Sequence, residues 1–256
     1  MKPIFNQVAV IGAGAMGRGI AQIAAQAGSQ VWLYDTQAEA TLKAKDAVYQ
    51  MWDSLALKGR LDTETVSTYK SRLHIAASLQ DLKNCEMVVE AIIERLDIKK
   101  NLFVDLESIL SESAILVTNT SSLSVTAIAA ALKRPALFAG YHFFNPVPLM
   151  KVVEVIAGLK TSPDVCVRLT EFAKQMGHTP VQANDTPGFI VNHAGRGYGT
   201  EALRVVSEGV ADFATIDRIL KDQVGFKLGP FELFDLTALD VSHPVMESIY
   251  NQYYQE

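Results

Sequence analysis

The chain has 256 residues, of which 49% are hydrophobic and 20% charged, and its formal net charge at pH 7 is −5. This composition predicts a globular protein with one large domain or two modest ones. It argues against non-specific nucleic-acid binding, because there is no basic surplus to neutralise phosphates, and no apolar run approaches the roughly 20 residues that span a bilayer.

Short apolar strands alternate with helices over most of the chain. The first strand covers residues 8–11, and the helix after it covers residues 16–26 and ends before Gly28. Further strands are predicted at 31–34, 74–76, 87–91, 115–118, 137–141, 151–156 and 179–182, and further helices at about 37–58, 63–73 and 96–110. This alternation predicts an α/β domain whose doubly wound sheet is mostly parallel and covered by helices on both faces.

The pattern changes near residue 187. From residue 189 to residue 254 the sequence predicts only helices, which are interrupted at Gly209, Gly225 and Gly229-Pro230. We therefore expect an α/β domain over residues 1–186 and a smaller all-helical domain over residues 187–256.

A glycine-rich turn joins the first strand to the first helix. Its sequence, Gly12-Ala13-Gly14-Ala15-Met16-Gly17, is G-x-G-x-x-G in a strand–turn–helix context. Gly12 permits the tight turn, Gly14 lets a pyrophosphate approach the backbone, and Gly17 lets the helix pack closely on the strand. We therefore predict a Rossmann-type domain with Gly12, Gly14, Met16 and Gly17 around a dinucleotide.

Asp35 indicates which dinucleotide binds. It ends the second predicted strand, 18 residues after Gly17, where a carboxylate accepts hydrogen bonds from the adenosine ribose. The same carboxylate repels a 2′-phosphate, and no arginine follows it to receive one. The predicted cofactor is therefore NAD rather than NADP. Arg18 either touches phosphate or is a solvated side chain.

Polar residues follow the strand predicted at 115–118. They are Thr118, Asn119, Thr120, Ser121 and Ser122. Ligands of open parallel sheets bind at the carboxyl ends of the strands, so we expect these side chains to face that crevice. The alternative is helix capping, and we expect at least one of the five to serve in that way.

His142 and Glu154 are the candidate proton-transfer pair. His142 follows a predicted strand among aromatic residues, where it is either a proton acceptor or a structural histidine. Glu154 lies in mid-strand among β-branched residues, and a buried carboxylate needs a partner. If the chain turns back after Pro148, Glu154 lies beside His142 and orients its imidazole.

This pair suits the oxidation of an alcohol by NAD. Hydride transfer from a secondary alcohol leaves one proton to remove, and a histidine with a carboxylate partner is sufficient to remove it. No metal is needed for this step, and the five histidines show no close ligand spacing.

With these residues in place, the chain resembles the 3-hydroxyacyl-CoA dehydrogenase family along essentially its whole length. The distinctive segments are Asn-Thr-Ser-Ser-Leu at 119–123, His-Phe-Phe-Asn-Pro at 142–146, Val-Glu-Val at 153–155 and Thr-Pro-Gly-Phe-Ile-Val-Asn at 186–192. The resemblance implies NAD-dependent oxidation of an (S)-3-hydroxyacyl-CoA to the 3-oxoacyl-CoA, in fatty-acid or phenylacetate-type breakdown.

The resemblance also implies roles for individual residues. His142 would be the base and Glu154 its partner, and Ser121 and Asn192 would place the reacting oxygen and the thioester. The other assignments are Asn145 in the substrate pocket, Glu94 and Lys99 around the nicotinamide half of NAD, and Asn119 among the cofactor-binding residues.

Two of these assignments depend on the resemblance alone. Without it, Glu94 and Lys99 would be interpreted as solvated charges at a helix start. The segments Ile-Glu-Arg-Leu at 93–96 and Glu-Ala-Leu-Arg at 201–204 are closer to the bacterial branch that handles 3-hydroxyadipyl-CoA in phenylacetate degradation.

The chain departs from the family pattern in three places. Where the family usually has a serine and a later lysine that hold CoA phosphate, Lys58 and Arg60 either meet the phosphate or face solvent. The predicted helix after Asn192 contains three glycines, each costing roughly 1 kcal/mol relative to alanine. The chain ends at Glu256, so we interpret the helical domain as truncated.

Two other functions compete with this interpretation. Other two-domain NAD hydroxyacid dehydrogenases, of the 6-phosphogluconate or 3-hydroxyisobutyrate type, resemble the α/β half but use a catalytic lysine. A non-catalytic, crystallin-like NAD-binding protein would not need the His142–Glu154 pair.

The remaining expectations concern partners and compartment. Cys85 and Cys166 are too few and too far apart for a disulfide framework, and the first residues lack a long apolar stretch, so we expect a reducing, cytoplasmic setting. The expected partners are an acyl-CoA and, from the resemblance, a second copy of the chain in a homodimer, with no nucleic acid, membrane or metal.

Overall fold

The computed structural model of the chain describes residues 2–253. Two compact units, Met1–Asp185 and Thr186–Glu256, divide the chain. The helical region predicted for the second unit reaches Tyr254, which lies outside the described residues. No helix in the described part of the chain is both long and apolar enough to cross a membrane.

One eight-stranded sheet forms the centre of the first unit. Its strands are β1 (Gln7–Ile11), β2 (Gln30–Tyr34), β3 (Leu73–Ile75), β4 (Met87–Glu90), β5 (Ile115–Thr118), β6 (Phe138–Phe143), β7 (Val152–Ala157) and β8 (Thr179–Asn184). Their order across the sheet is β3-β2-β1-β4-β5-β6-β7-β8. All neighbouring pairs are parallel except β6 and β7, which run antiparallel. The predicted doubly wound, mostly parallel sheet is confirmed.

The three strands β4, β5 and β6 are buried along their whole length. Parallel strands covered on both faces read as continuous apolar runs, which is why the sequence identifies them. The carboxyl ends of β1, β4 and β5 reach the same edge of the sheet because these strands are parallel and adjacent. Polar residues that follow these strands are therefore brought together at one edge.

Helices connect the strands of the first unit. They are α1 (Ala15–Gln26), α2 (Ala38–Leu57), α3 (Thr63–Ser71), α4 (Leu96–Ile109), α5 (Val125–Ala129) and α6 (Pro163–Gln175). The helix α6 was not predicted, although Pro163 lies in its first turn and the buried residues Val165, Leu169 and Phe172 have helical spacing. Two short 3₁₀ helices lie at Leu79–Leu82 and Pro135–Leu137.

The described residues of the second unit form helices joined by short turns, with no strand among them. Its helices are α7 (Val191–Ser207), α8 (Phe213–Asp222), α9 (Pro230–Thr237) and α10 (Leu239–Gln252). Gly209 and Gly225 follow α7 and α8 in the left-handed conformation, with φ of 70° and 85°, which favours glycine at a helix end. The break between α9 and α10 was not predicted, because Ala238 occupies this position with φ of 64°.

The three glycines of α7 have different surroundings. A Cβ added to Gly199 would lie 2.5 Å from Cζ of Phe234 in α9, whereas one added to Gly195 or Gly197 would meet no described atom within 4 Å. Gly199 is therefore required where α7 packs on α9. Gly195 and Gly197 are not required by any contact within the described chain, and they lower helix propensity.

We expect Gly195→Ala and Gly197→Ala each to stabilise α7 by up to about 1 kcal/mol and to raise Tm by roughly 2–4 °C. Gly199→Ala should lower Tm, because Phe234 must move to make room for the added methyl group. Thermal unfolding followed by circular dichroism compares the three variants. Equal shifts for all three glycines would contradict the assignment of Gly199 to helix packing.

Candidate active site

The glycine-rich turn between β1 and α1 has the geometry of a dinucleotide site. Gly12 has φ of 101°, and a Cβ added to it would lie 2.3 Å from the Ala91 carbonyl oxygen. A Cβ added to Gly17 would lie 1.8 Å from the Gly12 carbonyl oxygen. Gly14 has no neighbouring heavy atom within 4 Å of an added Cβ. Gly12 and Gly17 are thus required by the fold, whereas Gly14 keeps the approach to the backbone open.

The residues around this turn fit NAD. The first amide groups of α1 have no acceptor within the helix, and its first turn contains no acidic residue, so a pyrophosphate is favoured there. Met16 lies half-buried in this turn, and Arg18 is exposed. Asp35, directly after β2, accepts hydrogen bonds from the Ala13 amide at 2.8 Å and the Gln37 amide at 2.9 Å. Its carboxylate therefore lies beside the turn, as recognition of a ribose requires.

A buried ion cluster lies where β4 ends. The Lys99 ammonium is 2.5 Å from Oε1 of Glu90 and 3.2 Å from Oε2 of Glu94. The side chains of Glu90 and Lys99 are 0% and 1% exposed, and that of Glu94 is 37% exposed. Without the family resemblance, Glu94 and Lys99 would have been interpreted as solvated charges. That interpretation is wrong for Lys99, which is buried, whereas Glu94 is partly exposed and pairs with Lys99. The Lys99 side chain points inward because its ammonium group pairs with the buried Glu90 carboxylate.

Glu94 holds the polar loop that follows β5. Its Oε1 accepts a hydrogen bond from the Thr120 hydroxyl, one from the Ser121 amide at 3.1 Å and one from the Ser122 hydroxyl at 3.2 Å. Burial alone would raise the pKa of Glu94, but the Lys99 ammonium and the hydrogen bonds lower it below its usual value. The stability from its contacts is therefore present at neutral pH and is lost as pH falls through this lowered pKa.

The residue that caps α5 is not one of the five polar residues that were expected to cap it. The N-cap of α5 is Ser124, whose hydroxyl accepts a hydrogen bond from the Ala127 amide at 3.1 Å. Asp185 also binds the start of α5, through the amides of Val125 at 2.8 Å and Thr126 at 2.6 Å. The expectation that one of residues 118–122 caps this helix is therefore wrong.

Asn119 links the β5 end to the next strand. Its side-chain oxygen accepts a hydrogen bond from the Phe143 amide at 2.9 Å. Phe143 directly follows His142, so this hydrogen bond fixes the polar loop relative to the candidate base. Asn119 is in this way part of the same edge of the sheet as His142.

His142 and Glu154 meet across the antiparallel pair of strands. They are directly opposite each other in the β6–β7 register, and Nδ1 of His142 is 2.6 Å from Oε2 of Glu154. His142 is 5% exposed and Glu154 is 0% exposed. The chain does turn back after Pro148, and this reversal produces the pairing. The His142 ring also contacts that of Phe144, with centroids 4.5 Å apart.

The other predicted residues have different positions. Asn145 is exposed in the loop after β6, where its peptide bond with Pro146 is cis. Lys58 and Arg60 are exposed at the end of α2 and beyond Gly59, and neither side chain forms a hydrogen bond or ion pair within the described part of the chain. Asn192 is half-buried near the start of α7, in the second unit. Within the described part of the first unit, Asn145 forms no hydrogen bond or ion pair with His142 or Glu154.

Glu90 belongs to the buried ion cluster but is not among the residues that the sequence predicts for the site. Like Glu154, it is a carboxylate in a buried apolar strand and needs a partner, so the same signal could have identified it. Its partners are the Lys99 ammonium, the Thr118 hydroxyl at 2.6 Å and the Ile92 amide at 2.7 Å.

Comparison with known families matches both parts of the chain. Residues 7–186 match the NAD binding domain of 3-hydroxyacyl-CoA dehydrogenase, and residues 188–256 match the C-terminal domain of the same family.

Individual relatives agree with these matches. The chain is 45% identical to 3-hydroxyadipyl-CoA dehydrogenase of Escherichia coli (strain K12), over 97% of its own length and 52% of that protein. It therefore spans about half of this relative. It is 43% identical to a probable 3-hydroxybutyryl-CoA dehydrogenase of Deinococcus radiodurans, over 94% of the chain and 86% of that protein. The crystal structure of (S)-3-hydroxybutyryl-CoA dehydrogenase from Ralstonia eutropha superposes with a TM-score of 0.94, at 36% identity, covering 98% of this chain and 88% of that one.

Proposed function

Because the chain belongs to the 3-hydroxyacyl-CoA dehydrogenase family, we propose that it oxidises the 3-hydroxyl group of an (S)-3-hydroxyacyl-CoA to a ketone. The observation that supports this proposal most directly is the buried His142–Glu154 pair, which shares one sheet with the glycine-rich turn and Asp35. When bound, NAD supplies the acceptor for the hydride that leaves C3.

His142 is the proposed base. Since Nδ1 faces the Glu154 carboxylate, Nε2 is the ring nitrogen that takes the hydroxyl proton as the hydride leaves. The nearby carboxylate favours the tautomer with its proton on Nδ1 and stabilises the imidazolium that forms. The proton is assigned to Nδ1 because this nitrogen faces the Glu154 carboxylate.

Other residues are proposed to place the substrate. Ser121 and Asn192 hold the reacting oxygen and the thioester, and Asn145 lines the acyl pocket. Lys58 and Arg60 are the candidate ligands of a CoA phosphate, and their exposure leaves both side chains accessible to one. Glu94 and Lys99 lie around the nicotinamide half of the cofactor, with Asn119 beside them.

Two substrates distinguish the proposed pathways. A relative that acts on 3-hydroxybutyryl-CoA supports fatty-acid-type breakdown, and one that acts on 3-hydroxyadipyl-CoA supports phenylacetate-type breakdown. The 3-hydroxyadipyl chain is longer than the 3-hydroxybutyryl chain and ends in a carboxylate. A site that recognises this carboxylate should therefore have a higher kcat/KM for 3-hydroxyadipyl-CoA.

The direct test is turnover by the purified wild-type chain. We expect oxidation of NADH with acetoacetyl-CoA, and reduction of NAD with 3-hydroxybutyryl-CoA and 3-hydroxyadipyl-CoA. The ratio of kcat/KM for the two hydroxy substrates decides between the pathways, and NADP in place of NAD should give much lower kcat/KM because of Asp35. Tight binding of NADH without turnover of any of the three thioesters would contradict the proposed function.

We also propose a homodimer formed by the second unit in the cytoplasm. Large apolar side chains are exposed on its helices, including Phe213 at 54%, Leu236 at 71% and Leu239 at 64%. The two cysteines are free thiols, which suits a reducing compartment. A monomeric mass at every concentration of a sedimentation dilution series would contradict the dimer.

A further inference from the structure

We propose that Glu90 is a positioning residue for the dehydrogenase reaction, acting through Lys99 and Glu94 on the loop that contains Ser121. This inference rests on the proposed function, since it assigns a role to a group that contacts neither substrate nor cofactor. Three successive contacts connect the buried end of β4 to the polar loop.

Glu90 is itself held in place. It is 0% exposed and is the last residue of β4, opposite Thr118 in the register of β4 and β5. One carboxylate oxygen accepts from the Ile92 amide and the Lys99 ammonium, and the other accepts from the Thr118 hydroxyl. Three donors hold this carboxylate in a single orientation.

Glu90 fixes the position of Lys99. The Lys99 side chain is 1% exposed, and a buried ammonium group requires an ionised partner. Of its two carboxylates, Glu90 is the nearer and the more deeply buried, whereas Glu94 is 37% exposed. The position of the ammonium is therefore set from the Glu90 side, and Glu94 is placed by the ammonium.

Glu94 divides its two oxygens between Lys99 and the polar loop. Oε2 faces the ammonium, and Oε1 accepts from Thr120, Ser121 and Ser122. The Thr120 hydroxyl in turn accepts from the amides of Ser122 at 3.3 Å and Leu123 at 2.9 Å. A shift of the Glu94 carboxylate would therefore move several backbone amides of the loop together.

Replacing Glu90 by glutamine removes the charge and keeps the shape. Among the described residues, Lys99 then keeps Glu94 as its carboxylate partner, so the ammonium draws Glu94 away from the loop. We expect kcat/KM for the hydroxyacyl-CoA to fall by roughly 10- to 100-fold, because small misplacements of reacting groups have effects of that size. Amide hydrogen exchange in residues 119–124 should become faster in the absence of any ligand.

Glu107→Gln is the matched control. Glu107 lies on the same helix as Lys99, its side chain is 7% exposed, and it pairs with Arg134 and accepts from the Lys133 and Arg134 amides. The control therefore also removes a buried, paired carboxylate. It should lower Tm without changing exchange in residues 119–124 or kcat/KM.

A double-mutant cycle with Lys99→Met tests the route of the effect. If Glu90 acts through Lys99, the losses of kcat/KM in Glu90→Gln and Lys99→Met should not add in the double variant. Strictly additive losses, or a Glu90→Gln variant with the exchange and kinetics of Glu107→Gln, would overturn the inference. Absence of turnover in the wild type would instead refute the proposed function, while the exchange measurement would still test the positioning role.

Discussion

Replacing His142 with glutamine should lower kcat by roughly 10²- to 10⁴-fold, the range in which a positioned general base contributes to a reaction. Glutamine can fill much of the space of the imidazole and can still contact Glu154, but it cannot accept a proton near neutral pH. Because the ring lies on β6 and not in the glycine-rich turn, we expect NADH to bind with unchanged affinity.

Steady-state kinetics with acetoacetyl-CoA and NADH, together with NADH fluorescence titration, measure both quantities. The same substitution at His74 is the control, since this ring lies on β3 and its Nε2 is 2.7 Å from the Gln30 side-chain oxygen. His74→Gln should retain wild-type kcat. If His142→Gln turned over at the wild-type rate, the assignment of the base would be wrong.

Gly14→Ala should weaken NADH binding without lowering stability, whereas Gly17→Ala should lower the stability of the apo chain. Gly14 has φ of −67° and no heavy atom within 4 Å of an added Cβ, so alanine should fit the apo chain and leave its Tm nearly unchanged. The methyl group should occupy the approach of the pyrophosphate, and we expect the Kd for NADH to rise by about 10-fold or more, which is 1.4 kcal/mol per factor of ten.

Gly17→Ala should instead destabilise the chain before any ligand is added. Its Cβ would lie 1.8 Å from the Gly12 carbonyl oxygen, so α1 must move away from the turn. Overpacking of this kind costs about 1–3 kcal/mol or more, and the apo Tm should fall accordingly. Thermal unfolding of the apo variants and NADH titration separate the two effects. Normal NADH affinity in Gly14→Ala would sink the assignment of Gly14 to the cofactor.

The features that the sequence predicted are local ones. The strands β1, β4 and β5 were found because a buried parallel strand is a continuous apolar run. The glycine-rich turn and Asp35 were found because their spacing is set within one strand–helix–strand unit. The pairing of His142 with Glu154 was predictable for a related reason, since only a reversal after Pro148 separates two adjacent strands.

The errors also have physical causes. The buried residues of α6 have a helical spacing that indicates this helix, although it was not among the predicted elements. The break at Ala238 has no glycine or proline signal at that position. The capping role expected of residues 118–122 went to Ser124, because α5 begins at Val125 and the N-cap is the residue directly before the helix. The sequence pattern did not define the residue at which this helix begins.

By itself, the sequence determined the fold class, the family and the residue types available for hydride and proton transfer. The tertiary structure alone decided which charged groups pair with each other. It buries the Lys99 ammonium between Glu90 and Glu94, and it places Glu94 where it accepts a hydrogen bond from the loop after β5. These contacts depend on the parallel register that places Glu90 opposite Thr118, 28 residues away in the chain. Periodicity and motifs report the conformation of one segment, whereas the burial of a charge depends on which other segments surround it.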